Sequence, residues 1–306
     1  MRRLLRFILT VSLLAGTRSF VHAQTAAYTE IVQINAADFP QISAFVNVYD
    51  ADGEFIPNLK PADITVYEDG QERRANSVRE SEVPVQVVVA VNPGPPLAIR
   101  DADGIARFER VVEALRLWGE AQPGDSRDDL SLVSLSGSLI NHADVEDWFV
   151  SLNSFKPDFR NSTSNLQTLS IALDTVNAPT PEPGMKRAVL FITPRMDDPN
   201  IDNTIAPLIQ RAVESKVRVF VWFIDAEEFN VSASANAFKS LAQQTDGAFF
   251  SFSRNEIFPD LNLYFAPLRH IYEVTYTSSL TTSGEHTLGF YITAQDTTIP
   301  ALDQTF

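Results

Sequence analysis

Hydrophobic and polar positions change rhythm twice along this chain. Between residues 28 and 83 the period is two. Ile42, Ala44, Val46 and Val48 share one face of an extended segment, Ser43, Phe45, Asn47 and Tyr49 take the other, and Asp50, Ala51, Asp52 and Gly53 turn the chain. A second strand covers 64–67 and stops at Glu68, Asp69 and Gly70. From 84 to about 270 the texture differs: the runs 85–91, 130–135, 188–193, 217–224 and 248–252 are short, apolar and rich in Val and Phe, as strands covered on both faces are. Helix-period stripes separate them, one through Ile105, Phe108, Val112 and Leu115, another through Leu166, Leu169, Ile171 and Leu173, a third through Ile205, Leu208, Ile209 and Val213. Period two returns with Tyr272, Val274 and Tyr276, then a turn at Ser283 and Gly284, then His286, Leu288, Phe290 and Ile292 on one face.

Alternating strands and helices imply crossovers, so the expected fold class is α/β: a doubly wound, mainly parallel sheet flanked by helices over 84–270. A hairpin alone is barely stable. The strands of 271–296 are therefore expected to pair with the N-terminal module, 24–83, making one small antiparallel β module from both chain ends, with 297–306 a flexible tail. Residues 1–23 read as a signal peptide: Arg2, Arg3 and Arg6 precede the apolar run 7–16, and Val21, His22 and Ala23 offer a cleavage site. The rival reading, a retained anchor, requires ~20 apolar residues. Cleavage after Ala23 and a secreted or extracytoplasmic destination, in the periplasm or cell envelope, are expected, with no transmembrane segment in the mature chain.

Composition narrows the partners. The formal charge is −15, and −19 once the four Arg of residues 1–23 are removed. Nucleic acid and anionic membranes are bound by clustered Lys and Arg, and no basic run exists here. The absence of cysteine removes disulfides, thiolate metal sites and cysteine nucleophiles together.

Ligands of such sheets sit beyond the carboxyl ends of the strands. The first loop there, Asn92, Pro93, Gly94, Pro95 and Pro96, lacks the glycines of a dinucleotide site, and the chain has neither a Gly-Lys-Ser/Thr phosphate loop nor a Gly-x-Ser-x-Gly elbow. His142, His270 and His286 are too far apart in sequence for a His-x-x-x-His zinc signature, and His286 is expected as a packed strand residue. Asp144, Glu146 and Asp147 fall at a helix start, where negative charge meets the helix dipole. Asp50, Asp52 and Glu54 lack the full calcium-loop spacing and read as turn chemistry.

Residues 85–92, Ser164-Asn165-Leu166 before Ala172-Leu173, the run 189–193 and above all 241–250 (LAQQTDGAFF) resemble the von Willebrand factor A-type (VWFA) domain; 48–53 and 62–70 are similar to the β segment that precedes it in many secreted bacterial proteins. The resemblance implies a site where an Asp-x-Ser-x-Ser, a Thr and a later Asp hold a divalent ion for adhesion. Here Asn92 stands for the first Asp, Gly94 and Pro96 for the two Ser, and Pro194 for the later Asp, with Ser164 or Thr163 keeping a hydroxyl. Mg²⁺ usually takes one or two carboxylates among its ligands, so this site is degenerate and no confident metal ligand, cofactor or catalytic residue remains. The expected function is a non-catalytic protein-binding or adhesion-type module, metal-independent, using the carboxyl-edge loops toward an unidentified protein or cell-surface ligand. Three alternatives stand beside it: a cation-dependent adhesin in which Asp197 or Asp198 supplies displaced ligands to Mg²⁺ or Ca²⁺; an extracytoplasmic hydrolase pairing Asp197 with His142; and a structural segment of an envelope assembly.

Overall fold

The computed structural model describes residues 27–178, 182, 184–254, 256–294 and 297–306. The expected signal peptide lies outside them. Four strands open the chain, β1 (Tyr28–Asn35), β2 (Gln41–Tyr49), β3 (Ile64–Glu68) and β4 (Gln71–Glu82). Turn chemistry joins them as expected: Asp50 Oδ1 accepts the backbone N–H of Asp52 and Glu54 at 2.9 and 3.0 Å, and Asp69 and Gly70 take positive φ between β3 and β4.

The middle of the chain forms β5 (Val85–Val91), α1 (Arg107–Glu120), β6 (Asp129–Ser134), β7 (Gly137–Ala143), α2 (Val145–Ser154), α3 (Gln167–Val176), β8 (Lys186–Thr193), α4 (Ile201–Glu214), β9 (Val217–Ile224), α5 (Ala233–Gln244), β10 (Phe249–Phe252) and α6 (Asn262–Phe265). Its six-stranded sheet has the order β10-β9-β8-β5-β6-β7, with β7 antiparallel to β6 and the other pairs parallel. All seven residues of β5 are buried because both faces are covered. Val87 and Val89 pack with Phe108 and Leu115 of α1, Trp148 of α2 and Phe265 of α6; Val88 and Ala90 pack with Leu169 of α3, Ile205 of α4 and Phe238 of α5.

The chain returns as β11 (His270–Thr277), β12 (Thr287–Ala294) and β13 (Thr297–Thr305). These close a barrel with the first four strands in the order β1-β13-β12-β3-β4-β11-β2. Ile42, Ala44, Val46 and Val48 fill it together with Tyr272, Val274, Tyr276, Phe290 and Ile292. Closure satisfies every edge.

The expected fold class is corrected here. The chain ends build a closed, mixed seven-stranded barrel, with β1 parallel to β13, in place of a small antiparallel module, and the inserted sheet is itself mixed. Residues 297–306, expected as a flexible tail, supply β13, the strand that completes the ring. Besides β1, three strands escaped the hydrophobic pattern for one reason: β4 and β7 expose most of their side chains, and β13 carries four Thr or Gln among nine residues. His286 is corrected in position only, since its side chain is largely covered. It lies just before β12 and its Nδ1 meets Asp69 Oδ2 at 2.8 Å, which raises the imidazole pKa through that hydrogen bond.

The barrel rests on the amino ends of β8 and β9. Lys186 Nζ donates to the Tyr49 hydroxyl at 2.7 Å and to the His270 carbonyl; Arg218 stacks its guanidinium 4.4 Å over the Tyr49 ring and bonds the Tyr28 hydroxyl. Lys216 Nζ donates to Ile31 O at 2.6 Å. Burial holds the Lys186 amine well below the usual lysine range and, as the largest cause, lifts the Tyr28 phenol to about 12.

Candidate functional site at the carboxyl ends of the strands

β5 is followed by β6 on one side of the sheet, whereas β8 and β9 build the other, so the crevice between the ends of β5 and β8 is the switch point of the order. Asn92 leaves β5 there and Pro194 leaves β8. Asn92 is fully buried. Its Nδ2 donates to Thr193 Oγ1 at 2.9 Å, and its Oδ1 accepts Asn165 N–H at 3.2 Å and the Thr168 hydroxyl at 3.3 Å. A neutral amide, donor at one end and acceptor at the other, suits this mixed set of partners without the desolvation cost of a carboxylate.

Gly94 shows how tightly the crevice is closed. A Cβ added there would stand 2.3 Å from Ser164 Oγ and 2.9 Å from Pro194 Cγ. Ser164 turns its hydroxyl to the Pro93 carbonyl at 3.0 Å. The structure therefore brings Asn92, Gly94, Ser164 and Pro194 together as the sequence suggested, but as a packed plug. Pro96 sits apart, half-buried in the 3₁₀ turn Pro95–Ala98, and Thr163 is exposed.

The displaced carboxylates are occupied elsewhere. Asp197 is exposed and lies 3.3 Å from Arg195 Nη1. Asp198 accepts Asn200 N–H and the Thr204 hydroxyl, each at 2.8 Å, at the start of α4. Among the described residues no group of three or more His, Asp or Glu is placed to hold a metal ion. Asp144 likewise caps α2 by accepting Asp147 N–H at 3.0 Å. Asp197 and His142 are not brought together. His142 lies on β7 level with the amino end of β6, its Nδ1 2.8 Å from Asp129 Oδ2, whereas Asp197 follows the carboxyl end of β8. The length of a seven-residue strand, roughly 20 Å, separates those two edges.

Sequence reasoning missed Thr168, Thr193 and Asp225. The two threonines sat inside an apolar stripe and an apolar run, where a hydroxyl reads as tolerated and not as a partner for Asn92. Asp225, nearly fully buried just past β9, accepts Arg195 N–H at 3.0 Å and Ala226 N–H at 2.8 Å. Arg195 lays its guanidinium 3.8 Å over the Phe229 ring, and Met196 N–H donates to Ser234 Oγ at 3.2 Å, so the loop after β8 is fastened to the loop after β9. Asp225 stood visible at the end of an apolar run; only its burial marks it out.

The chain matches no protein-family model and no curated protein. Solved structures similar to it include the VWA domain of SpRpn10, at 11% identity and a TM-score of 0.45 over 57% of this chain and 92% of that one. The TFIIH p34 N-terminal domain gives 12% identity and a TM-score of 0.41 over 61% of this chain and 97% of that one. Proximal thread matrix protein 1 from the mussel byssus gives 11% identity and 0.40 over 57% of this chain and 45% of that one. At these values nothing about binding or chemistry passes from them to this chain.

Proposed function

We propose that this chain is a non-catalytic binding module, exported and freed of its leader after Ala23, that holds a protein partner on the carboxyl-edge loops of its six-stranded sheet without a divalent ion. The observation that carries the reading is the plug of Asn92, Gly94, Ser164 and Pro194: the amide is used by three neighbours and the glycine leaves no space beside it. Recognition by such a surface rests on shape and apolar contact. Ile99, Val231 and Ile257, on the loops that follow β5, β9 and β10, are all exposed large hydrophobics, side chains that gain from burial against a partner. In the described residues no helix is long and apolar enough to cross a membrane.

The test is affinity capture by the mature chain with and without chelator, repeated with Ile99→Ser, Val231→Ser and Ile257→Ser combined and with residues 92–96 replaced. The reading requires capture that persists in chelator and falls at least tenfold in both variants. Release of the partner by chelator, or a calorimetric Mg²⁺ or Ca²⁺ isotherm at millimolar concentration, overturns metal independence. Capture unchanged in both variants overturns the surface.

A further inference from the structure

Arg107, the first residue of α1, is only 8% exposed, yet its Nη1 is buried without a hydrogen-bond partner and its guanidinium makes no ion pair within 4.0 Å among the described residues. It lines a cavity of about 440 Å³ between the loop after β5 and the end of β10. Ser253, 3% exposed, lines the same cavity, and its Oγ is also buried without a partner. Both residues thus line one cavity, and each carries a buried atom with a hydrogen to donate and no acceptor among the described residues. Leaving such donors unsatisfied is costly, and for a guanidinium more so. Arg254 adds an exposed guanidinium at the rim, also without an ion pair among the described residues. The carboxylate that shares the cavity, Asp101, is already held by Arg110 at 2.8 and 3.0 Å and by Ile105 N–H at 2.9 Å.

We infer that this cavity is a carboxylate-binding site, in which Arg107 grips a carboxylate and Ser253 Oγ donates to the same group. The planar fork of a guanidinium matches a carboxylate with two parallel bonds. A monoanion is favoured over a phosphate dianion because the chain carries a charge of −15 and because Asp225, Glu228 and Glu256 act electrostatically on Arg107. Since the cavity opens on the edge assigned to the partner, the inference deepens that reading and rests on it for the source of the carboxylate: an acidic side chain or C-terminus of the bound protein, as opposed to a free small acid.

Sodium acetate titrated into the mature chain at constant ionic strength provides the test, read on the side-chain N–H resonance of Arg107, which is assigned by its loss in Arg107→Lys. A saturable shift in the millimolar range is expected, weakened at least threefold by Ser253→Ala, which removes a hydroxyl that has no partner and so preserves the fold. Sodium chloride and inorganic phosphate at matched ionic strength should not reproduce it. No saturable response to acetate, or one undiminished in Ser253→Ala, overturns the site. Displacement of a captured partner by acetate shows that the carboxylate belongs to the partner; acetate binding without such displacement assigns the site to a free acid and overturns its link to the partner. If capture fails while acetate still binds, the binding-module reading falls and the site stands; if capture persists in Arg107→Lys and acetate gives no response, the reverse holds.

Discussion

The two ends of the six-stranded sheet solve the burial of polar groups in opposite ways. At the switch point of the carboxyl end the buried group is neutral, since Asn92 divides its amide among Thr193, Asn165 and Thr168, and the buried charges of that end, Asp225 and Arg107, lie elsewhere, just past β9 and at the start of α1. At the amino end the groups are cations, the buried Lys186 and the half-buried Arg218, set against Tyr49, Tyr28 and a backbone carbonyl, and among the described residues no carboxylate is in hydrogen-bond contact with either. A charge buried among neutral oxygens and a ring face is held by geometry, since its electrostatic reward is small beside its desolvation cost. The amino end is therefore a fastening between barrel and insert, and the carboxyl end, where neutral groups close the crevice, is the end the barrel does not cover.

The comparison breaks most sharply at Gly247, beside the amino end of β9. A Cβ there would fall 2.1 Å from the Val219 carbonyl oxygen, a backbone atom that cannot swing aside. Gly247→Ala should cost on the order of 3 kcal/mol or more, through overpacking and displacement of β10 from β9. Chemical denaturation checks it; a loss under about 1 kcal/mol would mean that the packing of the segment before β10 on β9 yields and is not rigid.

Next in size is Asn92→Asp at the opposite end. The substitution puts a carboxylate where burial is complete and removes the donor that served Thr193. A destabilisation of about 2 kcal/mol is expected, growing as pH rises and the buried acid is forced to ionise. Millimolar Mg²⁺ should not restore it. Restoration by the ion would show that the crevice still holds a usable coordination shell and would place the neutral plug in error.

How far the two ends were legible in sequence follows from the same contrast. β5 and β9 were plain, because strands buried on both faces are apolar at nearly every position, and that Asn92, Gly94 and Pro194 bring no carboxylate to the crevice is evident from residue type. Thr168 was hidden because one hydroxyl in an apolar stripe gives no sign of what it faces. Lys186 lay outside the apolar run 188–193; its burial depends on the barrel, and the barrel depends on β4 and β13, whose polar side chains carry no periodic signal. Arg107 was silent for the same reason: that a helix-start arginine lacks an acceptor is a property of packing, not of sequence.

A smaller effect separates the ends by pH. Desolvation first, then the charge of Arg218, depresses the Lys186 amine well below its unfolded value of about 10.4. A lysine with a depressed folded pKa binds its proton more tightly when unfolded. Stability should thus be lowest below the folded pKa, rise as pH climbs toward ~10, and level off above it. Lys186→Met should flatten that rise and raise the melting temperature near neutrality, by removing a desolvated charge and keeping the apolar stem. The Tyr28 phenol, at about 12, titrates above this window. A melting temperature that falls at neutral pH, with the slope unchanged, would show instead that the bonds to Tyr49 and His270 outweigh the desolvation of the amine.

The smallest effect bears on whether the carboxyl end keeps any latent ion chemistry. Asp198 accepts Asn200 N–H through Oδ1 and the Thr204 hydroxyl through Oδ2, so both oxygens are committed to the first turn of α4. Asp198→Asn preserves one acceptor and loses the negative charge near the helix N-terminus, which should cost about 0.5 to 1 kcal/mol. The decisive reading is how that loss responds to cation. A capping carboxylate gives the same difference between wild type and variant in chelator and in millimolar Mg²⁺ or Ca²⁺. A metal ligand gives a wild type stabilised by the ion and a variant that is not, because an ion that binds only the folded state adds stability in proportion to the logarithm of its concentration. Equal melting shifts in both proteins would leave Asp198 as a cap and the crevice of Asn92 as a surface closed by neutral side chains.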